Sequence, residues 1–573
     1  QATNTLFRNN RRSAEFLTYD NHTSGNVVSD NTSHFTRCTF TINDDNLFAE
    51  NNVHFGAHVT MYRVRGVKIN GCAFRNEVTA TTNSARGNAI STIEAGFKAK
   101  RVCPVVSPFN PCSCIPSGSD TVTRCSFSGF HSAISAANSE GNYDITIDNC
   151  DFAQNTYGVD MAVCNDVQVS SCDFNLDGNK TIYGVTLTNC TGYTIEDNSF
   201  YKAVYSSPVA CGTNIINSGI EDNVIRLNRF SNIKFGCGAT DTNALTGMDV
   251  QGLHYECNSF DGCMNGIYVF SGASVRTVQG SNSAGADNGF GYPAGSGKSI
   301  TIPASHDTVT YYYSKWGNYI PYGNTRIKLR AAYANNCLSS LCGSSLPPIE
   351  LLSQYEETAE EMLALYDTVG NRTLDPQDAE TAELQIRLAD LSSAMGDLSR
   401  NGIRAILSDT TLDMGLLKEW YGTIVETRDI AARHRQLESG IPVAAYHLAE
   451  VYNTEGDYAA ADALLQSLPQ RFNPDEAARH EYENYMNLQR LRESVAGNWY
   501  RQTDTEIAEL QQVVESDSPV REITVYSLTG QVMMTIENCP SPTAINVVSL
   551  PRGIYLLHAV TDNGVKTARF VKN

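Results

Sequence analysis

Across the first half of the chain, apolar residues come in short period-two runs, each closed by a polar turn, and the same run keeps returning. VKINGCAF (67–74), ITIDNCDF (145–152), VQVSSCDF (167–174), YTIEDNSF (193–200) and VIRLNRF (224–230) share one scheme. Two apolar residues sit two apart, a polar turn follows, then Cys or Asn, one variable residue, and Phe. Alternation over so few residues predicts strands rather than helices. The phenylalanines Phe127, Phe152, Phe174, Phe200, Phe230 and Phe260 fall 22 to 30 residues apart. Several units continue with glycine and a β-branched residue, as in Gly158-Val159, Gly184-Val185 and Gly266-Ile267.

A repeat of this length means a solenoid or a propeller, and propeller blades need about 40 residues or more. Leucine-rich repeats would need leucine where these units carry Ile, Val, Cys, Asn and Phe. The pattern predicts coils stacked at about 4.8 Å, with like residues in register. It resembles the right-handed parallel β-helix superfamily, which includes pectate-lyase-like enzymes and many bacterial surface proteins. The resemblance covers residues 1–280, and it implies a fold without implying an activity.

Residues 281–348 change pattern, and SITIPASHDTVTYYYS and TRIKLRAAY read as ordinary strands of a β-rich cap or connector. Tyr311, Tyr312 and Tyr313 offer either a sugar-stacking platform or an edge or core strand, and the alternation favours the strand. From 349 to 515 apolar residues recur at helical spacing, as in Leu351, Tyr355, Met362, Leu365 and Tyr366. Ala444–Phe472 resembles one tetratricopeptide unit: Ala445, Leu448 and Tyr452 line one helix, Gly456-Asp457-Tyr458 turns, and Ala461 and Leu465 line the next. A plain helical bundle and a peptide groove both fit that segment. The fold class expected is therefore mainly β, a right-handed parallel β-helix followed by a helical segment and a small C-terminal β-sandwich.

That sandwich occupies residues 516–573, read as strand, turn, strand, loop, strand, turn, strand. Asp562-Asn563-Gly564 is a hairpin signal. The residues Val525-Tyr526-Ser527-Leu528-Thr529-Gly530-Gln531, then Leu550-Pro551-Arg552-Gly553-Ile554-Tyr555, then Lys566 and Phe570-Val571-Lys572 follow one another in the order of a known signal. The module resembles the type A C-terminal sorting domain of the Bacteroidetes type IX secretion system. The resemblance implies passage through the periplasm and across the outer membrane. The partners implied are the translocon, an outer-membrane shuttle barrel and a surface sortase. The sorting-signal residues it implies are Tyr526, Leu528, Gly530, Leu550, Pro551, Gly553, Tyr555, Lys566, Phe570, Val571 and Lys572.

Charge narrows the partners further. Acidic residues outnumber basic ones, 62 to 42, for a net charge of −20. That argues against nucleic acid and anionic membrane surfaces. No apolar run reaches membrane-spanning length. The N-terminal QATNTLFRNNRRSAEF has no apolar core and opens within a repeat, so it reads as a fragment or processed product rather than a signal peptide.

Sixteen of the 17 cysteines precede residue 343 and the last is Cys539. This density points to an oxidising compartment, and the odd count leaves at least one thiol unpaired. Cys38, Cys72, Cys125, Cys150 and Cys172 each sit two residues before a phenylalanine, where later units have Asn198, Asn228 and Asn258. One slot shared by Cys and Asn points to small buried residues and not to a metal site. Cys103, Cys112 and Cys114 fall in an insertion, Thr79 to Asp120, read as a disulfide-pinned loop and the best candidate contact surface. Cys337 and Cys342 are placed to pair locally.

Catalytic motifs are sparse. Against the polygalacturonase set NTD, DD, GHG and RIK, the chain offers only Asp44-Asp45 and Arg326 to Lys328. No catalytic or metal residue is assigned. Asp148, Asp151, Asp160 and Asp173 could form an acidic patch across coils, read first as a solvated face and otherwise as a sugar or calcium site. Asn175 to Lys180 alternates oxygen ligands but lacks calcium-loop spacing, and reads as a turn. No cofactor is assigned, with structural calcium the one ion left open. The composite expectation is an exported, secreted or surface-anchored protein, a non-catalytic adhesin or structural element that meets glycans or other surface proteins. The alternatives are a secreted polysaccharide lyase or glycoside hydrolase, and a glycan-binding module. An Asp pair in a groove beside Arg or Lys would favour the enzyme, and a flat polar face the adhesin.

Overall fold

The computed structural model describes Gln1–Gln489 apart from connecting segments such as 46–54, 107–113 and 370–378, and beyond it the strands at 511–514, 520–527, 532–539, 543–546, 553–561 and 564–572. Among the described residues, each coil contributes short strands to three parallel sheets. Sheet A has nine strands, from Ala2–Thr3 to His254–Glu256. Sheet B has ten, from Leu6–Arg8 to Gly289–Phe290, and sheet C ten, from Ala14–Leu17 to Lys298–Thr301.

The repeat scheme is the coil itself. Its first apolar pair forms sheet A, and the polar turn is a left-handed residue: Arg37, Gly71, Asn149, Ser171, Asp197, Leu227 and Cys257 all have φ between 51° and 58°. The Cys or Asn that follows is buried under this turn and accepts a backbone N–H from the preceding coil. Cys38 N donates to Cys72 Sγ and Cys72 N to Cys125 Sγ, both at 3.4 Å. Cys172 N donates to Asn198 Oδ1 at 2.9 Å, and Asn198, Asn228 and Asn258 donate in turn to Asn228, Asn258 and Asn288 at 3.0–3.1 Å. Tyr311 ends the column, its hydroxyl accepting from Asn288 N at 2.9 Å. Cys and Asn alternate in one slot because each is a small acceptor that satisfies an otherwise orphaned buried donor.

Two residues on, the phenylalanines form a continuous stack in sheet B. Ring centroids from Phe7 through Phe40, Phe74, Phe127, Phe152, Phe174, Phe200, Phe230 and Phe260 to Phe290 are 4.5–5.5 Å apart, with planes within 12°. The stack explains the glycines of sheet C. A Cβ on Gly158, Gly184, Gly212 or Gly236 would lie 2.5–2.8 Å from the rings of Phe174, Phe200, Phe230 and Phe260. Backbone approach at those four positions, rather than φ, demands glycine.

The solenoid continues past residue 280. Asn288-Gly289-Phe290 is one further Asn-x-Phe rung, and Lys298–Thr301 pairs with Asn265–Val269. It lies outside the expected 1–280 because its own apolar pair is displaced to Val278–Gln279, Val309–Ser314 and Ile327–Ala332, a separate three-stranded sheet. Tyr311 and Tyr312 are buried there, a core strand and not a platform. The expected insertion at 79–120 is likewise shorter. Asn88–Ile93 and Phe97–Lys100 are ordinary strands of sheets C and A, because Ala89, Ile90, Phe97 and Ala99 fill core positions. Residues 101–124 are what interrupts the A-to-B turn, and they carry the small hairpin pairing Val105–Val106 with Cys114–Ile115.

Cys337 bonds Cys257 across 80 residues rather than Cys342, because Cys257 occupies the left-handed turn position with its side chain outside the column. Cys103 is disulfide-bonded, and its partner lies outside the described residues. Among the described residues ten other cysteines are free and buried. Burial pushes Cys211 and Cys263 up to about 12 and raises Cys72 as well. These ten thiols should resist iodoacetamide in the native protein at pH 8 and should all alkylate after denaturation, counted site by site by peptide mapping. Fewer than ten would mean the columns oxidise.

The helices that follow include, among the described residues, α1 (Pro348–Val369), α2 (Ala379–Leu407), α3 (Met414–Arg435), α4 (Val443–Thr454) and α5 (Tyr458–Phe472). They bury a second apolar cluster that includes Leu351, Tyr355, Trp420, Leu448 and Leu465. α4 and α5 form a hairpin through Gly456, whose φ is +82°. This helical segment belongs to the same compact unit as the solenoid, Gln1–Gln489, and Arg490–Asn573 is a second unit. Helix was expected as far as 515. Gln511–Val514 is instead a strand, because its outer partner Thr543–Asn546 pairs it from within the C-terminal module.

Candidate functional site

Two surfaces of the solenoid carry chemistry, and the four aspartates do not share either of them. Asp148 is on sheet A, accepting from Ser170 Oγ at 3.1 Å and from Asn149 at 2.9 Å. Asp160 is on sheet C. Asp151 and Asp173 pair in register on the outside of sheet B. The expected single patch fails because the residues occupy different strands of the coil and so face different sides.

On sheet B, Arg124 reaches both carboxylates, its Nε 2.9 Å from Asp151 and a terminal nitrogen 2.8 Å from Asp173. The same side chain donates to the carbonyls of Cys150 and Ser171 at 3.2 and 3.1 Å. Burial raises the Asp151 pKa, and Arg124 opposes that shift. The guanidinium fills the space between the two acids, so the trio clips neighbouring coils together. Asp44 and Asp45 are spent separately: Asp44 accepts from Thr79 N and Oγ1 at 3.0 and 2.7 Å, which lowers its pKa, and Asp45 pairs with Arg8. Arg326 donates to the His306 carbonyl.

The outer face of sheet C is different in kind. Tyr157 and Tyr183 stack at 5.1 Å with planes 7° apart, and His131 meets Tyr157 edge-on at 5.5 Å. Asp160 lies on the same face, 3.5 Å from Ser132 Oγ, and burial raises its pKa while His131 opposes the rise. Burial lowers the His131 pKa. Two coils further on, Phe235, Tyr268 and Phe270 form an aromatic cluster with centroids 4.7–5.7 Å apart. Lys234 Nζ lies 5.1 Å from the Phe235 ring centroid. Between the two aromatic groups sits Asn214, paired with Gly238 on the Phe235 strand, where a Cβ would touch Asn214 Oδ1, Phe270 and Cys211 at 3.3–3.6 Å. All these rings are half-buried, with one side against the sheet. The aromatic track was not legible as a site, because its rings fall 26 to 52 residues apart from one coil to the next. Only the strand register brings Tyr157, Tyr183, Cys211, Phe235 and Asn265 into one column.

In the C-terminal unit, the described strands form a four-stranded antiparallel sheet ordered 532–539, 520–527, 553–561, 564–572, and a two-stranded one. Ile523, Val525, Leu557 and Ala559 are buried in it. Tyr526 pairs with Leu556, and Tyr555 with Ser527 on one side and Phe570 on the other. Gly553 pairs with Lys572, Ile554 with Val571 and Ala559 with Lys566, so the terminal strand is an edge of this sheet. Thr561 pairs with Gly564, the register of a two-residue hairpin. Leu528, Gly530, Leu550 and Pro551 lie outside the described residues.

Comparison with known proteins agrees with both ends of this description. Residues 114–283 match the family profile of the right-handed beta helix region, and residues 508–573 match that of the secretion system C-terminal sorting domain. No curated protein and no solved structure matches the chain.

Proposed function

We infer that the chain is a secreted cargo protein: a right-handed parallel β-helix with a type IX sorting domain, exported for surface attachment or release. No helix among the described residues is long and apolar enough to cross a membrane. We propose that the protein is a non-catalytic adhesin that grips an extended glycan along the outer face of sheet C. The aromatic track carries this reading. Pyranose rings stack on aromatic faces, and the half-buried Asn214 and Asp160 supply partners for sugar hydroxyls between the rings. Coils about 4.8 Å apart put Tyr157 and Phe235, three coils apart, at a span of about 14 Å, enough for about three sugar residues. A polysaccharide array should show binding by the full chain, and Tyr157→Ala/Tyr183→Ala should weaken it about tenfold or more, with two aromatic contacts worth about 0.5–1.5 kcal/mol each. Unchanged binding by the double variant would remove sheet C from the account.

A second reading, a polysaccharide lyase or hydrolase, draws on the Asp151–Arg124–Asp173 trio, an acid pair beside an arginine. The same array, read for reducing ends and unsaturated products, separates the two. Turnover lost in Asp151→Asn and Asp173→Asn would favour the enzyme; binding without turnover favours the adhesin. The domain limits proposed are a β-helix from the first residue to about 301, a strand connector, helices from Pro348, and the sorting domain from about 508. The sorting-signal residues proposed are those of the matched motif, with the terminal edge strand, which includes Lys566 and Lys572, engaging the shuttle barrel.

A further inference from the structure

The helices pack on the turns between sheets C and A, and the two surfaces do not meet everywhere. A cavity of about 750 Å³, counting the space at its mouth, remains between them. One wall is apolar. α1 supplies Tyr355 and Met362, α2 supplies Met395 and Ile403, and α3 supplies Ile424, all of them buried. The facing wall is the turns of successive coils, at Asp166, Thr191-Gly192, Glu221-Asp222 and Gln251.

The polar groups of this cavity are not equally satisfied. Arg428 donates to Gln251 and pairs with Glu221 at 2.7 Å, and the other Glu221 oxygen accepts from Val443 N at 3.2 Å. Arg400 donates to the Asp222 carbonyl and pairs with Asp397 at 2.6 Å. His447 meets Asn165 at 2.8 Å, and burial lowers its pKa to about 4, so it is neutral. The cations of the lining are therefore engaged, and two of its carboxylates are not. Asp222 Oδ1 faces His254 and Arg276 at 3.2 and 3.1 Å, but Oδ2, against Gly396 of α2, is buried without a hydrogen-bond partner. Asp166 is 7 % exposed, and its carboxylate makes no hydrogen bond or ion pair among the described residues. It stands at a left-handed turn over Gly192 of the next coil, where a Cβ would lie 2.3 Å from Asp166 Oδ1. Glycine at 192 is what leaves the carboxylate its room. Burial raises the Asp166 pKa to about 7, opposed by Arg404, whose guanidinium donates to Thr194 Oγ1.

A carboxylate taken out of water without a partner is costly, and a cation at hydrogen-bond distance offsets that cost. The apolar wall opposite favours hydrocarbon over water. We propose that the cavity is a binding site for a small organic amine, its ammonium group on Asp166 and its aliphatic or aromatic body against Tyr355, Met362, Met395 and Ile403. The site lies on the turns and not on the outer face of sheet C, so it does not depend on glycan binding there.

Isothermal titration calorimetry on the full chain tests this at about pH 8, where Asp166 is largely ionised and an alkylamine is charged. Phenethylamine, phenethyl alcohol and hydrocinnamate share one body and differ in head group. The amine should bind with a Kd of about 1 mM or tighter, within reach of a ligand of about nine heavy atoms. It should bind about tenfold more tightly than the alcohol or the acid, the effect of one hydrogen bond between charged groups. Asp166→Asn should remove that advantage and leave the alcohol unchanged. If the variant does not fold, the head-group comparison on the unaltered chain decides alone. Equal affinity for amine and alcohol, tighter binding of the acid, no binding of the amine at about 10 mM, or an amine advantage that survives in Asp166→Asn would each overturn the proposal.

Discussion

Phe174→Ala is expected to remove about 3–5 kcal/mol of stability, the range for truncating a buried phenylalanine. Three features place it toward the upper end. Phe174 is fully buried, and it stacks on Phe152 at 4.5 Å and on Phe200 at 4.6 Å. The wall opposite is Gly158, which has no side chain to move into the gap. The strands above and below are held in register by backbone pairing, so the coils cannot close on the void. The inverse change should also be severe. Gly212→Val would drive a side chain into the Phe230 ring from 2.5 Å, and overpacking costs about 1–3 kcal/mol where neighbours cannot yield. Urea unfolding followed by circular dichroism reads both as a lowered midpoint. A loss below about 1 kcal/mol for Phe174→Ala would mean the stack is not what holds the coils.

How much of this was legible in the sequence depended on the range of the interaction. The slot shared by Cys and Asn was visible because each coil repeats the same local problem, a buried turn donor needing a small acceptor, and Cys72 and Asn198 solve it alike. The phenylalanine spacing was visible for the same reason. The glycines were visible as a pattern but not as a cause, since Gly212 is glycine on account of Phe230, eighteen residues later in the chain. The acidic patch does not form because proximity in sequence is not a shared face: Asp148 and Asp151 straddle the left-handed Asn149, which turns the chain from one sheet to the next. The Cys257–Cys337 bond and the Arg276 hydrogen bond to the Ala389 carbonyl of α2 join residues 80 and 113 positions apart, and no local signal marks either. The aromatic track lies between these cases. Its residues are ordinary strand formers, and only the register makes them a surface.

Removal of residues 508–573 is expected to abolish export while leaving the rest folded. The C-terminal unit, Arg490–Asn573, has its own buried residues, Ile523, Val525, Leu557 and Ala559. The solenoid and the helices keep their cores without it. The matched motif is spread over more than 40 residues, from Tyr526 to Lys572. The sheet brings Tyr526 beside Leu556 and Tyr555 beside Phe570, so the signal exists as a folded surface and not as a linear tag. Its terminal strand is an edge, the element that strand addition to a partner uses. The measurement is cell fractionation combined with protease treatment of intact cells, comparing the full chain with the chain ended at residue 507. The account predicts that the full chain reaches the surface or the medium, and that the truncated chain accumulates in the periplasm, folded and protected from external protease. A truncated chain that reaches the outer surface at normal yield would contradict it.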